Sequence, residues 1–428
     1  MKSIQQIFDH QIKQALRPER VGTNLVAQRF KGMGIKLNRN QLARLERQWR
    51  KANASSFQLN VQIEDAQVIN AGFSSEAAAQ EALNTALEGL TTDVEKFSKE
   101  FNDALPRIIK ETTFDLSEQL LKTLKRSAKK MLQDRRAERT AFEQRVFRLW
   151  RKALDLLEMH LVIALEAGSA FNTEFRPEAA KSTDCVFEVL TRLHARACQV
   201  TSEIIVLLRT GHADGAHARW RCLHEIAVTA IFIAKQGNDT AERYLLHKDR
   251  ESYRAALQYQ EYCERLGYTP LTEEELAKMQ IAHQHLIERF GKSYDRDYGW
   301  ASNAIGKEKP TFRDIEGTVS LDYLRPYYRM ASHNIHANPQ GIFFKLGLSP
   351  HGEDILMAGP SNVGLADPGH ATALSLTQIS VTLLTKNPNV DRLIVCDILT
   401  RLSKEIGENF LLIHNQLEKR IRKQKKQR

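Results

Sequence analysis

No run in this sequence is long and apolar enough to cross a bilayer. A span needs roughly 18 uninterrupted apolar residues, and the best run, Leu154 to Ala167, is broken by Asp155, Glu158, His160 and Glu166. The opening residues, MKSIQQIFDHQIKQ, lack the apolar block of a secretory signal, so the expectation is a cytoplasmic protein with no membrane partner. Cysteine is scarce. The five thiols (Cys185, Cys198, Cys222, Cys263 and Cys396) are odd in number and show no CxxC spacing. That pattern argues against a disulfide framework or a zinc site and for buried reduced thiols. The metalloprotease, phosphate-loop, dinucleotide and nucleophile-elbow signatures are missing too. His283 and His285 lie two apart on a helix and therefore face different ways. No metal and no other cofactor is expected.

What is present reads as ordinary globular protein, with 42% hydrophobic and 27% charged residues. At 428 residues the chain exceeds one typical core, so two or three domains are expected. Its net charge of +10 is uneven. Residues 1–50 carry eleven Lys/Arg against three acids, and the last ten, KRIRKQKKQR, carry seven and none. The stretch between them is mildly acidic. Two basic ends suggest contact with RNA or another nucleic acid, although a basic terminal run also serves as a solubilising tail.

Helical periodicity dominates. Short helices are expected at 3–16 and 20–31, then a third opened by Asn38 with Gln41 completing a capping box. Phe57, Leu59, Val61 and Ile63 alternate with polar residues, which reads as one half-buried strand. Residues 75–167 read as two or three long helices, and Leu116, Leu120, Leu124, Ala128 and Met131 form the stripe of a packed one. A helix over 183–209 ends at Gly211. Asp214 is expected to cap the next, whose C-terminal half is apolar all round and so belongs in a core. Further helices follow at 240–266 and at 272–290, the latter capped by Thr272 with Glu275. Another ends at Asn338-Pro339, and two more close the chain at 369–385 and 389–420. Ile342–Leu346 and Ile355–Ala358 read as a β-hairpin around Ser349-Pro350-His351-Gly352. The fold class is therefore mainly α, a multi-helix bundle with a small β-hairpin, preceded by a helical N-terminal region. The divisions are a basic helical unit (1–56), a long-helix region (57–175), a main domain (176–418) and a basic tail (419–428).

Two constellations can carry chemistry. His217, Arg221 and His224 fall at i, i+4 and i+7 on the central helix, with Glu225 placed to pair with Arg221. Arg329, His333 and His336 repeat that spacing, with Ser332 and Asn334 beside them. An arginine holds a phosphate bidentately, and a histidine near neutral pKa takes or gives a proton. Charged groups on an otherwise buried helix also serve as ion pairs, so a structural role for the first stripe stays open.

The segment SEIIVLLRTGHADGAHARWRCLHEIAVTAIFIAK, with RMASHNIHANPQG and MAGPSNVGLADPG, resembles a bacterial family of uncharacterised helical proteins over roughly residues 180–390. The hairpin and the Arg329-to-His336 spacing are also similar to the HEPN superfamily, many of whose members are metal-independent ribonucleases built from an Arg, four to six residues and a His. Met330 stands where those enzymes usually carry a polar residue. The resemblance implies an endoribonuclease, in a toxin or phage-defence setting, working as a homodimer. Arg329, His333 and His336 would be catalytic, with His217, Arg221, His224, Glu225, Ser332 and Asn334 lining the pocket. The rival expectation is a non-catalytic helical binding or regulatory protein. A third makes the N-terminal unit a DNA-binding module beside a ligand-sensing or dimerising domain.

Overall fold

The computed structural model describes residues 4–51, 59, 61–336, 338–348 and 356–427. Packing divides the chain into two units, Met1–Leu132 and Gln133–Arg428.

The first unit holds α1 (Ile4–Ala15), α2 (Pro18–Gly32), α3 (Arg39–Lys51), α4 (Asp65–Asn70), α5 (Glu76–Leu87) and the start of α6 (Leu90–Ser182). Pro18 starts α2 because its fixed φ suits a first turn and its missing N–H is not needed there. The Asn38–Gln41 box forms as the spacing predicts: each side chain bonds the other residue's backbone N–H, at 2.9 and 2.8 Å. Val26, Phe30, Ile35, Leu45 and Leu83 make the small core. Leu59, Val61 and Ile63 pack against it without forming a strand. Phe57, the first residue of that alternation, lies outside the described residues. The alternation reports half-burial only, because among the described residues no strand lies beside it to build a ladder.

The second unit contains the rest of α6, followed by α7 (Cys185–Arg209), α8 (Ala213–Gln236), α9 (Asn238–Leu266) and α10 (Glu273–Phe290). After short 3-10 turns come α11 (Ser302–Ile305), α12 (Phe312–Thr318), α13 (Arg325–Ile335), α14 (Pro339–Phe343), α15 (Ala366–Leu384) and α16 (Val390–Gln427). Helix α6 runs unbroken through residue 175, and α16 runs on through most of the basic tail. The capping box expected at Thr272 and Glu275 is present. Among the described residues there is no strand, so the expected hairpin is corrected: Ile342 and Phe343 complete α14, and residues 349–355 lie outside the description. Asn338-Pro339 both ends one helix and starts another, with Asn338 capping α14 through the Gln340 amide.

Helix α8 is central, packed against α7, α13 and α15. Its Trp220, fully buried, donates its indole N–H to the Ala371 carbonyl at 3.0 Å. Trp150 of α6 donates likewise to the Asn362 carbonyl at 3.0 Å and packs against Phe410. Burying one such side chain stabilises the fold by about 1.5–3 kcal/mol. Helix α15 adds buried hydroxyls: Thr377 meets His160 at 2.8 Å and Ser380 meets His194 at 3.0 Å. Burial pushes the pKa of both histidines down to about 4. The turn joining α7 to α8 requires glycine. Gly211 has φ +80°, and a Cβ there would sit 2.6 Å from the Ser361 carbonyl oxygen.

Candidate functional site

The charged stripe on α8 faces α12 and α13, and Arg221 and His224 find partners along that seam. His224 and Glu316 are both fully buried, with Nε2 and Oε1 2.9 Å apart. The other Glu316 oxygen lies 3.2 Å from Arg325 Nη1, an ion pair without hydrogen-bond alignment. One turn along, Arg221 Nε donates to Glu225 at 3.1 Å, and the Tyr328 hydroxyl donates to the same carboxylate oxygen at 2.5 Å. The Arg221 guanidinium stacks over the Tyr328 ring, 4.7 Å from its centroid, and Arg325 lies 5.2 Å from that ring. Burial and the adjacent carboxylate of Glu225 both hold the Tyr328 phenol neutral, its pKa raised beyond the ordinary range. The same two causes raise that of Tyr298, where Arg221 and Arg325 oppose the shift.

The spacing placed Arg221, His224 and Glu225 on one stripe, where Arg221 and Glu225 do pair, but it did not point to Tyr298, Glu316, Arg325 and Tyr328. The signal for them was indirect. A buried helix carrying three ionisable groups needs partners, but nothing local says that residues 298–328 supply them.

His217, on the same stripe, is fully buried and stacks on Trp220 with centroids 5.4 Å apart. Neither of its ring nitrogens has a hydrogen-bond partner among the described residues, and burial pushes its pKa down to about 4. Asp214 does not cap α8, which begins one residue before it behind His212. Its carboxylate instead accepts from the Leu346 amide at 2.9 Å and from the Asn334 side chain at 3.3 Å. Lys345 Nζ closes this group by donating to the Asn334 side-chain oxygen Oδ1 at 3.3 Å. Ser332 turns its hydroxyl back to the Tyr328 carbonyl of its own helix at 2.8 Å.

The second stripe lies differently. Tyr328 meets α8, while the next residue, Arg329, is exposed. His333 is half-buried and His336 exposed. The His336 amide still bonds the Ser332 carbonyl at 3.1 Å, so the residue keeps its helical position even though its ψ of 146° ends α13. Arg329, His333 and His336 therefore share one face, spread over roughly 10 Å at 1.5 Å per residue. Exposed Ile335, Ile342, Phe343 and Phe344 lie beside them in sequence. Gly341 lets α14 close on the end of α13, since a Cβ there would sit 2.1 Å from the His333 carbonyl oxygen. Among the described residues no His/Cys/Asp/Glu group is arranged to hold a metal, and no helix is long and apolar enough to cross a membrane.

Residues 187–353 match a family of unknown function, DUF5677. The match runs from α7 past α14 and takes in both stripes together with Glu316, Arg325 and Tyr328. It supports the resemblance to an uncharacterised domain family. No curated protein and no solved structure matches the chain.

Proposed function

We propose that the exposed face of α13 is the reactive surface of a HEPN-like, metal-independent endoribonuclease, and that the α8–α12–α13 ion pairs are its scaffold. One observation carries this reading: of two stripes with the same spacing and residue types, that on α8 has both histidines sealed and its arginine half-buried, whereas on α13 Arg329 and His336 are exposed and His333 is half-buried. Arg329 holds the scissile phosphate and stabilises the charge that builds on its oxygens. His336 takes the proton from a ribose 2′-hydroxyl, whose oxygen then attacks phosphorus. The P–O5′ bond breaks and the leaving oxygen takes up a proton, with His333 assisting. The products are a 2′,3′-cyclic phosphate and a 5′-hydroxyl end. RNA supplies its own nucleophile. By analogy with the superfamily it resembles, the active species is a homodimer, acting in the cytoplasm as a toxin or phage-defence effector, with the basic ends of the chain holding RNA.

The test is cleavage of a labelled single-stranded RNA in EDTA by wild type and His336→Ala in parallel. Cleavage by wild type alone, leaving cyclic-phosphate ends, supports the proposal; equal cleavage by both rejects this site. The rival reading, a non-catalytic binding or regulatory protein, draws on Ile342 and Phe343 at 70% and 80% exposed beside the stripe. It expects RNA or a protein partner to bind without being cut.

A further inference from the structure

The middle of α6 carries a largely apolar stripe that none of the described residues of the first unit covers. Its apolar members Ile109, Leu116, Leu120, Leu124 and Met131 are exposed, Leu124 at 55% and Met131 at 52%, with the polar Thr113 and Ser127 completing the row, and Phe114, Leu121 and Leu132 are exposed beside it. The spacing of the row is four, three and four residues, repeated, so Ile109, Leu120 and Met131 stand eleven apart. At about 100° per residue the seven positions fall within a band of roughly 80° on a straight helix. An eleven-residue period is the pattern of a helix paired with another and showing little supercoiling or a right-handed one. A lone surface helix has no need of such a stripe, and exposed apolar patches of this kind mark interaction sites.

Two features of the stripe select the occupant. The spacing reads the same in both directions about Leu120, so a second copy running the opposite way places Leu116 near Leu124 and Ile109 near Met131. The charge along the helix is also polar. Residues 103–118 carry four acids and two bases, whereas residues 122–132 carry five bases and no acid. A parallel pair in register would set the five bases against their own copies. An antiparallel pair sets them against the acidic segment, and Asp115 falls near Arg126 of the other copy.

We infer that α6 is a dimerisation helix, pairing antiparallel with a second copy of this chain about a two-fold axis near Leu120. This interface is independent of the α13 face and does not rest on the ribonuclease reading.

The test uses the full-length chain. Sedimentation equilibrium from low to high micromolar concentration is expected to show a dimer, and Leu116→Glu with Leu120→Glu and Leu124→Glu to show a monomer of unchanged helicity by circular dichroism. Orientation is read by cross-linking in a Cys185→Ser, Cys222→Ser background. Leu120→Cys is expected to form a disulfide with its own copy under mild oxidation. Ile109→Cys should not, yet should cross-link to Met131→Cys when the two variants are mixed. A monomeric wild type, a dimer indifferent to the glutamates, or self-linking at Ile109→Cys as efficient as at Leu120→Cys would overturn the inference. Concentration-independent capture of the monomer by anionic lipid vesicles would instead assign the stripe to a membrane surface.

Discussion

Helices α8 and α13 carry one arrangement twice, an arginine and two histidines at i, i+4 and i+7, in opposite environments. On α8 the order is His217, Arg221, His224. Glu225 and Glu316 pair with two of the three, and the histidines have no exposed surface. On α13 the order is Arg329, His333, His336, and the two ends face solvent. Spacing alone cannot distinguish them. What lies across from each helix does: α12 and α13 bring Glu316, Arg325 and Tyr328 to α8, while α13 turns Arg329 away from that seam. Buried charge ties helices together, and exposed charge of the same pattern remains free to bind an anion.

The contrast can be broken by mutation. The largest effect is expected at the open stripe: His336→Ala, and separately Arg329→Ala, should each lower RNA cleavage by about 100-fold or more. Urea-melt midpoints should stay near wild type for both, since surface changes of this kind usually cost within about 0.5 kcal/mol. At the closed stripe the opposite holds. Glu316→Ala leaves His224 and Arg325 without their shared carboxylate and should destabilise the fold by about 3–5 kcal/mol in a urea melt. Acid provides a third discriminator. His160, His194 and His217 keep pKa values near 4 in the folded chain, whereas an unfolded histidine titrates near about 6.5. Below that value the unfolded chain binds protons that the folded one refuses. Stability should therefore be level above about pH 7 and fall between about 6.5 and 4, by roughly 1.4 kcal/mol per pH unit for each histidine. Thermal melts across that range check the slope, and His194→Gln should flatten it. The smallest effect is expected for Tyr328→Phe, which removes the hydroxyl donated to Glu225 and should cost about 1.5–3 kcal/mol, with cleavage retained.

Local signals in the sequence located the helices well, because caps and breakers act within a few residues. Thr272 with Glu275 and Asn38 with Gln41 mark helix starts, and Gly211 follows a helix end, where the spacing predicts. The failures are long-range or ambiguous. Ile342-Phe343-Phe344 is too short an apolar run to separate helix from strand, and Pro339 settles it by starting α14. Asp214 looks like a cap because a carboxylate in a first turn has the same signature whether it bonds its own helix or, as here, the Leu346 amide 132 residues away. Glu316 was invisible for the same reason, lying 92 residues from His224. The stripe on α6 was legible as apolar, yet periodicity does not say whether anything covers it.

That helix has a kinetic consequence. Its 93 residues form one helix, in which Pro106 and Pro177 have no N–H to donate. The stretch from about 110 to 140 has hardly a buried side chain, whereas Val146, Trp150, Leu154 and Leu157 are sealed in a core. A helix held by its ladder alone opens readily, while one locked by packing opens only with its domain. In the unpaired chain, amide hydrogens in the middle of α6 should exchange with solvent early and those after Val146 late, and a protease would make its first cut in that middle, lysine-rich stretch, leaving the second unit whole. Pairing along the stripe should slow both.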